Sequence, residues 1–374
     1  MIEIKEVTNR RMLKQFIDFP AKLYKDCPYF TPYLYEDEID NLVPGKNPAS
    51  KYCDFKLFMA YKDGKLVGRI CGILNHFSNS KYNQKRIRFN RIDMIDDIEV
   101  TKALIKAVED FGKENGMEEI NGPLGYSDQD KEGMLTKGFD QLNTFMTFYT
   151  HEYYVEHMKK LGFNVDVTWK EYKIYIPKEV DPRLKKASQF VQKKYGFHLQ
   201  KIKSKRQLTK DVIVEVLKLT NVCYANLYGY VPIDEKQMMH LADQYIPLIN
   251  LDYLSLVRDQ DNKLVAYGLM IPTPVRALKK HKGHLLPIGW IDFLWDLKHA
   301  KVLDMLLVAV DPQYQSSGVM SMIFEQCIEN ALKNGIEHAE TGPELEYNTN
   351  VQSLWKMFET ENHKERVCWL KKID

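Results

Sequence analysis

No acidic residue interrupts the stretch from Gln313 to Phe324. It follows an apolar, β-branched run, Leu306 to Val310, which Asp311-Pro312 brings to an end. Gln315, Ser316, Ser317 and Gly318 make a short polar loop. A helical pattern then starts at Val319, with Ile323, Cys327 and Ala331 at four-residue spacing. Asn334-Gly335 closes the pattern as a C-terminal cap would. Strand, loop and helix in this order make an anion-binding geometry. The first amides of a helix have no internal partner, and the helix dipole places about half a positive charge there. A glycine at the turn lets a phosphate come close to the backbone. The plain alternative is a strand–loop–helix whose loop binds only water.

The elements that must position this loop recur along the chain. Ile2 to Val7 alternates like a strand, and Asn9 to Lys25 reads as a helix. Phe55–Tyr61 and Leu66–Leu74 form a hairpin around Asp63-Gly64. Arg86 to Met94 reads as a strand, and Ile98 to Asn115 as a helix capped by Asp96 or Asp97 and closed by Gly116. Tyr153–Leu161 is helical, and Val165–Ile176 is long enough for one or two strands. The order then repeats: helices over 207–227 and 234–244, a hairpin of Tyr253–Arg258 and Leu264–Ile271, the strand–loop–helix, a strand at Ile336–Glu340, a helix over 350–359 and a last strand at Arg366–Lys371. The chain reads as a tandem repeat of one α/β unit, with an insertion at 274–301 in copy two. Copy one has Asp96, Asp97 and Glu99 where copy two has its polar loop. Those carboxylates suit a helix N-terminus and would repel a phosphate.

The string from Val308 through Asp311-Pro312-Gln313-Tyr314 to Gln315, Ser316, Ser317, Gly318, Val319 and Met320 resembles the acyl-CoA-binding motif of the GNAT acetyltransferase superfamily, commonly Q/R-x-x-G-x-G/A after a strand. Met320 departs from the usual final Gly or Ala. The whole chain resembles bacterial tandem-GNAT proteins of this length, through Phe19-Pro20, Asn47-Pro48, Val67-Gly68-Arg69-Ile70, Gly122-Pro123 and Gly162-Phe163. The resemblance implies an α/β (α+β) fold of two GNAT-like domains, each a mixed, mostly antiparallel sheet flanked by helices. These would be a degenerate domain at 1–180, a basic linker and first strand at 181–206, and a domain with the acyl-CoA motif at 207–374. It implies an N-acyltransferase that moves an acyl group, by default acetyl, from acyl-CoA to an amine by direct attack, with the acceptor in the cleft between the copies. Val308, Val310, Gln315, Ser316, Ser317, Gly318, Val319 and Met320 would hold the acyl-CoA, and Asn348 would bond its pantetheine arm.

Direct attack requires the amine to lose a proton. Asp304, just ahead of the motif strand, and the acids Glu340, Glu344 and Glu346 after the next strand are candidates; each could equally be a solvated loop charge. The family often places a proton-donating Tyr in the last helix. Here that helix has Trp355 and Phe358, so Tyr347, Tyr228 and Tyr230 are the alternatives. Asp304, Glu346 and Tyr347 are the catalytic set this reading favours. Within 274–301, Trp290, Phe293, Leu294 and Leu297 share one helical face, which could pack on the sheet or line an acyl pocket.

Ten Lys or Arg and no acid lie between Pro182 and Lys210. This is a solvated linker or a polyanion contact. The second option keeps an aminoacyl-tRNA-dependent transferase alive, and the missing helix Tyr keeps a non-catalytic CoA-binding protein alive. The net charge of the 374 residues is only +2, which selects no partner. The six cysteines are scattered, as free thiols of a reducing compartment would be. No Cys/His pair has metal-ligand spacing, so no metal is expected. No apolar run reaches the ~18 residues of a membrane span, and a cytoplasmic protein without a membrane partner is expected.

Overall fold

The computed structural model describes residues 1–373. Copy one begins with β1 (Ile2–Glu6), α1 (Arg10–Leu23) and α2 (Tyr35–Leu42), then the hairpin β2 (Cys53–Lys62) and β3 (Lys65–Asn75). It continues with α3 (His76–Lys81), β4 (Arg86–Met94), α4 (Ile98–Glu114), β5 (Glu119–Gly122), β6 (Met134–Lys137), α5 (Tyr153–Lys160) and β7 (Asn164–Tyr175). The basic stretch folds as α6 (Pro182–Tyr195) and the short β8 (His198–Leu199). Copy two has α7 (Lys210–Tyr224), α8 (Glu235–Tyr245) and the hairpin β9 (Leu254–Arg258) and β10 (Leu264–Pro272). The insertion forms α9 (Val275–Lys280) and α10 (Gly289–His299). Then come β11 (Val302–Val310), α11 (Met320–Asn334), β12 (His338–Glu340), β13 (Glu344–Leu345), α12 (Thr349–Leu354) and β14 (Thr360–Lys372).

The local reasons are legible. Asp63 and Gly64 both take positive φ, as the tight β2–β3 turn requires. Asp97 caps α4 through a bond from the Glu99 amide, and Gly335 ends α11 in the left-handed conformation. Helix α2, set between two Pro-rich segments, has no counterpart in the sequence reading. Its N-cap, Leu34, makes no side-chain cap, so packing of Leu42 and Glu38 against copy one holds it.

The sheet runs β1-β2-β3-β4-β5-β14-β7-β12-β11-β10-β9-β8. Each copy's last strand is given to the other. β14 pairs antiparallel with β5 of copy one, Trp369 opposite Gly122, while β7 pairs antiparallel with β12, Ala339 opposite Ile174. The two exchanged strands pair with each other along almost their whole length. The copies keep matching parallel pairs: Arg86–Arg88 with Glu119–Asn121, and Val302–Asp304 with His338–Glu340. Beyond those three residues β4 leaves β5, and β11 leaves β12. Trp369 and Val367 of β14 are buried in copy one's core with Phe89, Leu104 and Ile120.

Charge sits inside this seam. Lys364 and Arg366 of β14 are fully buried, as is Glu171 of β7. Arg366 donates to Glu171 and to the Phe148 carbonyl, and Lys364 donates to Glu340 at 2.9 Å. Removing the single carboxylate that two buried cations share leaves both undercompensated. Glu171→Gln is expected to cost roughly 3–5 kcal/mol, measured as a lower urea midpoint at unchanged slope.

Candidate functional site

Helix α11 begins where the sequence predicts. Gly318 has φ +83°, a left-handed conformation, and a Cβ there would come within 3.3 Å of Val191 on α6. Val319, at the N-cap, cannot cap, and the first turn holds no acid. Ser317 Oγ accepts from the Val319 amide at 3.2 Å, and Ser321 Oγ donates to the Gly318 carbonyl at 2.8 Å. The corresponding end of α4 is already filled: its own Asp97 caps it, and Lys62 Nζ lies 2.6 Å from that carboxylate.

The basic α6 packs across this loop. Val191 and Phe197 share an apolar cluster with Val319, Tyr314 and Met320, and Phe197 meets Tyr314 edge-on at 5.1 Å. Lys194, one turn after Val191, stands over the Tyr195 ring at 4.9 Å. Lys186, Lys193 and Lys194 make no ion pair among the described residues. Helix α6 is therefore packed against the loop through its apolar residue Val191.

A cavity of about 360 Å³ opens beside α11 and passes through the sheet where β11 diverges from β12. Its lining is largely apolar. On one side of the sheet stand Met320, Ile323, Phe324 and Cys327 of α11 with Met305. On the other stand Val216, Leu217 and Tyr224 of α7 with Leu241 and Tyr245 of α8. The far wall comes from copy one, the loop that contains Asp128, Gln129, Asp130 and Glu132. Copy one's own divergence has been closed by the same loop. Arg88 donates to the Gly125 carbonyl at 2.9 Å, Asn90 to that of Lys131 at 3.2 Å, and Arg91 pairs with the buried Glu38 at 2.8 Å. What remains there is a smaller, polar cavity of about 120 Å³.

The predicted residues separate on this geometry. Val308, Met320 and Asn348 line the cavity, while Gln315, Ser316, Ser317, Gly318 and Val319 form the loop above it. Val310, at the end of β11, packs in the cluster under that loop. Asp304 lies inside β11, not ahead of it, and faces away from the cavity. It is 2% exposed, and its oxygens make no regular hydrogen bond, Thr273 being near enough only for a weak one. Burial first, then the charge of Glu340, pushes its pKa up to about 7. Burial would also raise Glu340, but bonding from His338 and the charges of Lys364 and His363 outweigh it and hold Glu340 down at about 2. Glu346 pairs with Lys170 at 2.8 Å on the surface, and Tyr347 is 60% exposed. The chain turns at Leu345, where the Asn348 amide donates back to its carbonyl at 2.9 Å, so both side chains point out of the cavity. On the expected face of α10, Phe293 and Leu297 are buried but Trp290 and Leu294 are exposed, and none of the four lines the cavity.

The cavity instead brings two of the other candidates, Glu344 and Tyr228, together with Asp128 and Tyr224, which the sequence did not single out. Glu344 lines it and accepts from Trp355 Nε1 at 2.9 Å; burial raises it to about 8. Asp128 also lines it. Its Oδ2 accepts from Gln129 at 3.1 Å and its Oδ1 makes no regular hydrogen bond; burial outweighs Gln129 and the nearby Val231 amide and raises the carboxyl to about 7. Tyr224 donates to the Val308 carbonyl at 3.0 Å and lies within electrostatic reach of both carboxylates, which add to the effect of burial on its phenol. Tyr228 is there too, bonded to Asp166. In sequence, Asp128 sits in S-D-Q-D-K-E, a pattern that reads as solvated loop; no local signal marks it.

Residues 226–358 match the profile of the Acetyltransferase (GNAT) family. That stretch of the chain is a GNAT domain. Among curated proteins, the chain is 27% identical to Protein YghO of Escherichia coli K12, covering 99% of this chain and 95% of that one. It is also 27% identical to a bacterial ceramide synthase of Caulobacter vibrioides, over 82% of this chain and 79% of the other. Its fold matches a tandem GNAT protein from the clavulanic acid biosynthesis pathway, with TM-score 0.58 at 10% identity, covering 100% and 99% of the two chains. A GCN5-related N-acetyltransferase from Sphaerobacter thermophilus matches with TM-score 0.53 at 8% identity, over 100% and 96%. The fold is thus a tandem GNAT fold, and the chain is a transferase of the acetyltransferase type. No group of His, Cys, Asp and Glu that could hold a metal occurs among the described residues.

A carboxyl whose folded pKa lies above its unfolded value binds the extra proton in the native state, so its contribution to stability falls as pH rises between the two values. Asp304 works this way from near its ordinary carboxyl range up to about 7. Asp304→Asn is therefore expected to gain stability relative to the parent as pH rises from about 5 to about 8, read as the difference in melting temperature between the two proteins across that range. A constant difference would mean that Asp304 is ionised in the native state.

Proposed function

We propose that this protein transfers a fatty acyl group from its coenzyme A thioester to the amine of an amphiphile with a long hydrocarbon chain. The observation that carries this reading is the apolar cavity through the sheet at the divergence of β11 and β12. An acetyl group would fill only a small part of it. The relative from Caulobacter vibrioides is called a bacterial ceramide synthase. A ceramide is an amide of a fatty acid with a long-chain amino alcohol, and this chemistry matches a cavity with apolar walls and a few polar groups at one end.

The fit of coenzyme A rests on the loop. The left-handed Gly318 and the α11 N-terminus without an acidic first turn suit its phosphates. Bound there, it would supply an activated acyl thioester. Transfer forms a C–N bond and breaks a C–S bond; the amine gives up a proton and the departing sulfur gains one. We assign the first task to Asp128, whose carboxyl belongs to the far wall of the cavity. Tyr224, on the facing wall beside Val308, supplies the phenol that the last helix lacks. The polarity of copy one's loop, set against the apolar sides, orients the amine toward copy two.

If the cavity holds the acyl chain, kcat/KM for acyl-CoA, followed by thiol release, rises with chain length. The increment is about fourfold per methylene until the cavity is full, from about 0.8 kcal/mol per buried CH₂. A flat series, or acetyl-CoA as the best donor, would exclude this reading. Gly318→Glu fills and charges the loop and is expected to raise the Kd for coenzyme A by at least about a hundredfold. Asp128→Asn is expected to lower kcat about a hundredfold with the KM for acyl-CoA little changed, and to remove a rise in rate with pH centred near 7.

A further inference from the structure

The outward face of α10 is apolar. Phe293 and Leu297 point inward, but Trp290, Ile291, Leu294 and Trp295 are each about half exposed. Leu286 and Ile288, in the turn that leads into the helix, are more exposed still, at 72% and 61%. Six large apolar side chains thus meet solvent within ten residues, far beyond the isolated exposed residues of an ordinary surface.

The rim of this patch is positive. Residues 274–301, which carry the patch, hold Arg276, Lys279, Lys280, Lys282, Lys298 and Lys301 against Asp292 and Asp296. Both aspartates are already committed. Asp292 is met by Lys280 and His281 at 2.7 Å and by Arg276 at 3.3 Å, and Asp296 by Arg276 at 2.6 Å and the Ala277 amide at 2.7 Å. Lys282 and Lys298 are exposed and make no ion pair among the described residues.

We propose that this face docks on the surface of an anionic lipid bilayer, with α10 lying in the interface. The exposed leucines and isoleucines would enter the acyl boundary. The two tryptophans would sit at headgroup level, and the free lysines would reach lipid phosphates. A span-length helix is not needed for this, and no helix of the described residues is long and apolar enough to cross a membrane. A second copy of the chain would fit less well, because symmetric pairing would set the same positive rim against itself. The patch also adjoins the cavity: Phe293 and Leu297 pack in a cluster with Met146 and Leu306, and both of those line the cavity.

The protein carries its own reporter. Of its five tryptophans, Trp169, Trp355 and Trp369 are buried, so Trp290 and Trp295 dominate any change of environment. Adding phosphatidylcholine vesicles with about one third phosphatidylglycerol should blue-shift the emission, and brominated lipid should quench it. Pure phosphatidylcholine should act much more weakly. The triple variant Trp290→Ser, Ile291→Ser, Leu294→Ser should lower vesicle partitioning, measured by co-sedimentation, by about tenfold or more. Lys282→Gln with Lys298→Gln should reduce the dependence on anionic lipid and on salt. Circular dichroism and turnover of a water-soluble short-chain substrate confirm that both variants are folded. Absence of shift and sedimentation with anionic vesicles overturns the proposal. So does a dimer by light scattering that the triple variant dissociates, since the patch would then be a subunit interface. Neither result bears on chain-length specificity, so the docking proposal and the fatty-acyl reading can fail separately.

Discussion

Everything in this fold depends on one crossing: β14 leaves copy two and lies between β5 and β7. A single strand pairs there with copy one on one side and with the other exchanged strand on the other. Backbone bonds alone would tolerate a slip of two residues. The buried charges do not. In the observed register Arg366 meets Glu171, and Lys364 bridges Glu171 and Glu340, at 3.5 and 2.9 Å. Any other register strands at least one of these ions in the interior, at a cost of several kcal/mol. The ion pairs therefore select the pairing more than they add stability.

The crossing also decides where the site can be. Because β7 belongs to copy two's sheet, the loop of copy one that precedes β6 lies against copy two's divergence and becomes its far wall. The same loop plugs copy one's divergence through Arg88 and Asn90, while Arg91 there pairs with Glu38 of α2. One segment thus closes one cleft and completes the other. The asymmetry between the Asp97-capped α4 and the open end of α11 points the same way, since the helix end that could receive a phosphate belongs to the cleft that remains open.

Local features were legible in the sequence because local physics sets them. The β2–β3 turn at Asp63-Gly64, the caps at Asp97 and Gly335, and the limits of β4 follow from φ preferences and hydrophobic period. The partner of a strand does not. Nothing in Thr360–Lys372 announces that it will lie beside β5. For the same reason Glu346 looked as good a candidate as Glu344. The two residues of β13 end at Leu345, the chain turns, and only Glu344 stays in the cavity. Asp128 was hidden by its neighbours, since a run of four charges in six residues reads as a solvated loop until another domain covers it. The stripe on α10 posed the opposite difficulty. An apolar face has the same spacing whether it meets a core, a partner or a lipid. Here the inner positions are Phe293 and Leu297, and the stripe was wider than the core needed.

That surplus has a physical rationale on the proposed reading. Moving a chain of about sixteen carbons from a bilayer into water costs roughly 12 kcal/mol at about 0.8 kcal/mol per methylene. An enzyme that waited for such substrates in solution would meet almost none. An apolar cavity recovers the energy only after the chain has arrived. A surface that rests on the bilayer, joined to the cavity by the apolar cluster of Phe293, Leu297, Met146 and Leu306, lets the chain exchange one apolar environment for another. The basic rim would hold that surface in place without inserting it deeply. The exposed face of α10 is costly for a protein that stays in water and useful for one whose substrates do not leave the membrane.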